Sequence, residues 1–445
     1  MATARSPVTA ELLATLTLAL PLIGGQLAGM AQSTVDVILA GHLDPLVLSA
    51  VSLGASLWSF AVLCAVGLGL ALPTLVARLD GAGRRGEVGA LFRQALYLAV
   101  VVGLVLMVAV RKGGPILVGA LGFEPRLVAS IDGFLRAVSF GAPAFTLFLA
   151  CRGLSDGLRM PRVGMAVGLF GVVVLVPLAY ALMYGRFGAP AMGATGSGLA
   201  TALTLWLELG VFTLWLRFSG HYRGIGRGRF APDPAALGAL LRLGVPMASG
   251  ILLEASLFSA SALAIGAFGV TASGSHQVAL TAASLSFMVP LGLSTAITIR
   301  VGMAAGAGDP VALRRAGLTG MGMALAFETM TCALFLLFPT MIADAFTDVP
   351  VVAAGAVKLL RLAGLFQFSD GLQVSTAGAL RGMKDVLVPL AITALAYWGV
   401  GMVSGLYLAF TLGWQAQGMW TGLIAGLSTA AVLLSWRFLS LSRVA

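Results

Sequence analysis

Three carboxylates in this chain stand where water is scarce, and they set the question of what the molecule does. Asp370 lies inside the apolar stretch from Phe366 to Gly382, FQFSDGLQVSTAGALRG, together with two glutamines and several hydroxyls. Glu254 falls near the middle of another apolar run, and Asp36 lies toward the end of the first. A charged side chain at bilayer depth costs at least ~2.5–3.5 kcal/mol even on the lenient insertion scale, so such a residue is a functional candidate by default. Counting helical rise, Glu254 lies ~21 Å from one membrane face and Asp370 ~24 Å from the other, so the two are expected at similar depth.

Two acids in one low-dielectric pocket do not both ionise cheaply. A proton, a sodium ion or an organic cation would each relieve the repulsion, and competition among them is the physical core of antiport. Glu208 and Glu328 also lie in apolar runs and are read as packing partners of neighbouring helices. Other chemistry finds little support. Gly153-Leu154-Ser155-Asp156-Gly157 fits the Gly-x-Ser-x-Gly pattern, but it ends an apolar helix instead of joining a strand to one. No Walker sequence occurs, so ATP is not expected as the energy source, and the chain is not expected to be an enzyme. His42, His221 and His276 are read as lying in or beside loops without metal-binding spacing, and Cys64, Cys151 and Cys332 are isolated from one another.

The elements that must hold these acids are membrane helices. Of 445 residues 59% are hydrophobic and only 10% charged, with a mean hydropathy of +1.00, well outside the soluble range. Twelve apolar runs are long enough to cross a bilayer: 12–38, 46–76, 89–110, 127–151, 162–184, 193–216, 240–266, 272–302, 314–340, 354–380, 386–411 and 416–439. The net charge of +10 does not imply nucleic acid, because twenty of the 27 Lys and Arg residues gather in alternate loops and at the termini. That asymmetry predicts a multi-pass membrane protein with both termini cytoplasmic, and the abundance of Ala, Gly, Leu and Arg with no asparagine suggests a bacterial gene and hence a bacterial inner membrane.

The chain also resembles itself. Displaced by about 225 positions, Pro21 meets Pro246, Gly41 meets Gly266 and Gly67-Leu68 meets Gly292-Leu293. Further along the displacement reads as about 222, pairing Leu158-Arg159 with Leu380-Arg381 and Gly196 with Gly418. The expected fold is therefore all-α: two six-helix lobes, 1–216 and 240–445, joined by a cytoplasmic linker at 217–239 and related by a pseudo-twofold along the membrane normal. Such duplication suits an alternating-access transporter. Glycines spaced four apart, Gly164/Gly168, Gly401/Gly405 and Gly418/Gly422/Gly426, mark faces for close helix packing.

Several motifs together resemble the multidrug and toxic compound extrusion (MATE) family, in its norfloxacin-exporter branch. They are Val35-Asp36-Val37-Ile38-Leu39-Ala40-Gly41, Gly250-Ile251-Leu252-Leu253-Glu254-Ala255-Ser256, His276-Gln277-Val278-Ala279-Leu280, Arg300-Val301-Gly302, and Asp370-Gly371-Leu372-Gln373 running to Gly378-Ala379-Leu380-Arg381-Gly382. The resemblance implies twelve helices and export of cationic or amphipathic organic compounds driven by inward H+ or Na+. It assigns Asp36, Glu254 and Asp370 to coupling-cation and substrate binding, with Na+ at Glu254 and Asp370 as one alternative. Gln32, Gln277, Gln373 and Ser369 are the polar side chains expected to line the cavity. Departures exist: Ala179 and Thr281 stand where relatives often carry asparagine, and Phe366 where some carry tyrosine. These lost oxygens favour protons as coupling ion while leaving sodium open. No other cofactor is implied, the partners are small organic cations and lipid, and the chain is expected to act as a monomer. A lipid-linked saccharide flippase is the alternative within the superfamily, requiring a cationic cavity. A membrane enzyme or receptor is the alternative from another class, requiring a catalytic constellation or an extramembrane ligand domain.

Overall fold

Long apolar runs interrupted by proline and glycine leave the backbone one way to satisfy its polar groups in lipid, which is helix. The computed structural model describes residues 6–120, 122–222 and 231–444, and among these every regular element is helical. The spans are α1 (Pro7–Gly41), α2 (Pro45–Gly81), α3 (Arg85–Ala120), α4 (Pro125–Ser139 continuing as Gly141–Gly157), α5 (Pro161–Tyr184) and α6 (Ala194–Phe218). The second six are α7 (Pro234–Gly266), α8 (Val270–Ala307), α9 (Pro310–Leu337), α10 (Pro350–Gly382), α11 (Leu387–Thr411) and α12 (Gln415–Arg443). Eleven are single spans by length and composition, and α4 makes twelve if its two halves, bent by 41°, count as one. Proline explains the bend: Pro143 has no N–H to offer the Ser139 carbonyl four residues back. The neighbouring Phe140 carbonyl accepts a hydrogen bond from the Trp206 indole at 3.0 Å.

Helix starts are written locally. Proline occupies the first turn of α2, α4, α5, α9 and α10, where its missing N–H costs nothing. Asp44 and Asp309 cap α2 and α9 by accepting from the Leu46 and Ala312 amides at 2.7 and 2.8 Å. The segment before α7 is held to α3 by Gln94, whose amide donates to the Ala231 carbonyl and accepts from the Asp233 amide, both at 3.0 Å. Most of the linker's glycine-arginine run, 223–230, lies outside the described residues.

Two compact units emerge. One comprises the residues through Ile23 together with those from Ser249 onward, and the other is Gly24–Ala248. The divisions fall two residues after Pro21 in α1 and two residues after Pro246 in α7, at the same displacement of 225. Within the first unit Gly292 packs on Ile23, where a Cβ would come within 2.7 Å of the Ile23 amide nitrogen. Glu11 adds a two-pronged ion pair to Arg300 at 2.8 and 2.7 Å. Within the second unit Gly67 packs on Ala248, where a Cβ would come within 2.7 Å of its nitrogen.

The repeat keeps its displacement of 225 further than the sequence reading suggests. α4 ends at Gly157 and α10 at Gly382, and the turns that follow place Arg159 and Lys384 at φ 66° and 65°. Gly157 packs on Val76 as Gly382 packs on Val301. The counterpart of Arg159 is therefore Lys384, not Arg381, and the shift to 222 belongs to the α5–α6 connection. Matching Leu-Arg dipeptides produced the earlier reading.

The glycine faces expected between helices are realised most tightly between α11 and α12. A Cβ on Gly422 would overlap the Gly405 Cα and stand 2.6 Å from the Gly401 carbonyl oxygen, and one on Gly426 would lie 2.8 Å from the Gly401 Cα. By contrast Gly399 has nothing within 4 Å. Gly422→Ala is expected to cost about 1–3 kcal/mol or more through overpacking, read as a lower melting temperature in detergent. Gly399→Ala should melt like the parent, and equal behaviour of the two variants would contradict this packing.

Candidate functional site

α10 is clamped to α8 by small residues, and this clamp fixes where its acid stands. Ser294 donates to the Val374 carbonyl at 2.6 Å and Thr298 to the Gly378 carbonyl at 2.8 Å. A Cβ at Gly378 would press on the Ser294 backbone. Arg381 donates to the Ser294 hydroxyl at 2.6 Å and attracts the Glu254 carboxylate on α7. Asp370, only 4% exposed, lies within electrostatic reach of both Glu254 and Glu328. Glu254, expected at the depth of Asp370, repels it, and so does Glu328 from α9.

Around these acids the acceptors outnumber the donors. Asp370 Oδ1, Glu328 Oε1, Gln367 Oε1 and Gln373 Oε1 are all buried with no donor within hydrogen-bond distance. Gln373 gives its amide hydrogens to the Tyr397 hydroxyl and Gln367 to the Ser286 hydroxyl. Tyr397 rides on a widened π-type turn of α11, Leu395–Met402, a distortion often found at functional positions. Ser369 is spent elsewhere, paired with Ser428 of α12 at 2.6 Å. One turn before Asp370 an aromatic wall begins: Phe366 packs edge-on against Phe258 and Trp420, with ring centroids 6.0 and 5.7 Å apart. His276 belongs to that wall, not to a loop. It is buried in α8 and its Nδ1 accepts the Trp420 indole N–H at 3.1 Å. Its neighbour Gln277 is exposed and bonds Thr281 on its own helix.

The other unit carries a second polar strip between α1 and α6. Asp36 accepts from Ser197 at 3.0 Å and from Thr201 at 2.8 Å, one bond to each carboxylate oxygen. One turn earlier on α1, Gln32 donates to Glu208 at 2.7 Å and to the Gly168 carbonyl at 3.4 Å. Gly171 on α5 leaves the space for this pair, since a Cβ there would overlap Glu208 and lie 2.5 Å from the Gln32 amide. Arg152 attracts Glu208 and approaches Asp156 at 3.5 Å.

Chemically, the two strips differ. Asp36 has its oxygens satisfied by hydroxyls, whereas the acids on α7, α9 and α10 face one guanidinium and several idle acceptors, an arrangement open to a proton or another cation. Among the described residues no three acids, histidines or cysteines converge as a metal's ligands. Reasoning from sequence placed Asp36, Glu254 and Asp370 and named Gln32 and Gln373. It left out Ser197, Thr201, Glu208, Glu328, Arg381 and Tyr397 as members of these clusters. Helical spacing of Ser197, Thr201 and Glu208 on one face of α6 was the available signal.

Comparison with known proteins agrees with this architecture. The family model described as MatE matches residues 21–181 and 246–406, so the second match begins and ends 225 residues after the first. The probable multidrug resistance protein NorM of Xanthomonas axonopodis pv. citri is 41% identical over 428 residues, spanning 96% of this chain and 93% of that protein. The multidrug resistance protein PmpM of Pseudomonas aeruginosa is 37% identical over 437 residues, spanning 97% and 91%. In fold, the chain resembles a MOP superfamily transporter from Pyrococcus furiosus, with a TM-score of 0.89, 20% identity and 99% of both chains covered. A multidrug resistance MATE family transporter in an outward-facing conformation gives a TM-score of 0.87 at 20% identity, again covering 99% of each. With a family model matching both halves and relatives of such identity along nearly the whole length, this twelve-span chain belongs to the MatE family, in its NorM-like branch.

Proposed function

We propose that this protein is a cation-coupled antiporter that exports cationic or amphipathic organic compounds by alternating access. The observation that carries the reading is the cluster of Glu254, Asp370 and Glu328, in which Asp370 Oδ1 and Glu328 Oε1 are buried without a donor while Arg381 attracts Glu254. Carboxylates held this way gain from any cation that reaches them, whether a coupling ion or an organic cation. Relatives named as multidrug resistance proteins support the substrate class. Basic residues concentrated in alternate loops support a multi-pass orientation with both termini cytoplasmic, and bacterial relatives support an inner-membrane location.

In this reading Glu254 and Asp370 hold the coupling cation and release it when substrate arrives, and Asp36 does the corresponding work on α1. Phe366 and Trp420, 2% and 0% exposed, pack edge to face in the core, with Phe366 one turn from Asp370. Coupling requires only that the two cations do not occupy the acids together.

Two measurements follow in proteoliposomes. Asp370→Asn, eluting as folded protein, is expected to reduce substrate-driven movement of the coupling ion to below about a tenth of the parent rate; unchanged coupling would overturn the assignment. With protons as the driver, a protonophore at fixed sodium gradient should abolish substrate accumulation. Accumulation that survives the protonophore and vanishes with the sodium gradient would assign sodium instead.

A further inference from the structure

We propose that Glu328 is a third working carboxylate of the α7–α10 site, sharing one exchangeable proton with Asp370 beside the bare backbone of Gly371. The proposal rests on the antiport reading and adds to it a residue that its position in the sequence marks only as a packing group.

Glu328 projects from α9 and is fully buried, 0% exposed. Its Oε2 accepts the Thr331 hydroxyl at 2.7 Å, while its Oε1 has no donor. A Cβ on residue 371 would stand 2.8 Å from that Oε1 and 3.0 Å from the carboxyl carbon, so the carboxyl rests on α10 one residue past Asp370. Absence of a side chain at Gly371 is what admits it.

Two acids elsewhere in the molecule have both carboxylate oxygens engaged. Glu11 uses both oxygens on Arg300, and Asp36 uses both on Ser197 and Thr201. Glu328 and Asp370 each leave a buried oxygen unanswered and repel one another. Independent of the acids, Gln367 and Gln373, 0% and 4% exposed, stand three residues either side of Asp370 with their carbonyl oxygens likewise lacking donors. A helix face furnished with acceptors calls for a donor. One proton supplies it by turning a carboxylate oxygen into an O–H that the other carboxylate can accept.

The charged and titratable groups around the pair are Glu254 on α7, Cys332 on α9, Arg381 on α10 and Tyr397 on α11. Arg381 attracts Glu254, whereas the charges that bear most on Asp370 are the other two carboxylates. The pair is thus left to bind its own positive charge. In a transport cycle one proton binds from water on the outer side, forming one O–H bond. The same bond breaks toward cytoplasmic water, and no electrons move.

The test is proton release from the full-length protein in weakly buffered detergent when tetraphenylphosphonium or ethidium binds. The parent is expected to release protons on binding, independently of sodium. Glu328→Gln should still bind the probe while releasing at least about two-fold fewer protons, and Glu328→Asp should restore part of the release. Gly371→Ala keeps every acid but fills the seat, and should lower release as Glu328→Gln does, which decides the matter if Glu328→Gln does not fold. Unchanged release in either variant would overturn the role of Glu328 alone. A parent that releases no protons on binding would instead overturn proton antiport itself.

Discussion

A carboxylate oxygen buried without a donor is the constraint around which this molecule is organised. Two neutral hydroxyl bonds to a charged acceptor, at about 1.5–3 kcal/mol each, are comparable to the ~2.5–3.5 kcal/mol that an acid costs at bilayer depth. Asp36 has both such bonds. Asp370 lacks a donor at Oδ1 and faces two further carboxylates, which is why the proposed function assigns it a cation. The α8–α10 clamp, the glycine seat under Glu328 and the widened turn bearing Tyr397 fix the groups around it.

Duplication supplied the scaffold, and divergence made the halves unequal. At the displacement of 225, Asp36 corresponds to Ser261, Glu254 to Gly29, Asp370 to Phe145 and Arg381 to Asp156. None of the acids is duplicated. What the halves share is mechanical: Pro21 and Pro246 each precede a division between compact units, and Gly292 and Gly67 each receive the backbone just beyond. Shared backbone features with unshared charges suit the proposed function, in which one half handles cations differently from the other.

Much of this was legible in the sequence because membrane burial is written in long, one-dimensional signals. Hydropathy gave every span, and helical rise placed Glu254 and Asp370 at one depth. Local signals failed where a contact depends on another helix. Nothing near Glu328 announces that Gly371 makes room for it, and nothing near Glu208 announces Gly171. Gln277 is one residue from the buried His276, and a turn of 100° takes it to the exposed face of α8. The repeat register was misread by three residues through the chance match of Leu158-Arg159 with Leu380-Arg381, a match that the backbone turns at Arg159 and Lys384 correct.

The central claim is that coupling ion and organic cation neutralise the same buried acids in turn. Calorimetric binding of tetraphenylphosphonium to the purified protein across pH, with and without sodium, tests it most directly. The account predicts competition: the Kd weakens as the competing cation rises, by about tenfold per pH unit where one proton is displaced, or in proportion to sodium if sodium is the competitor. A Kd that stays constant over the whole range of pH and sodium would contradict it.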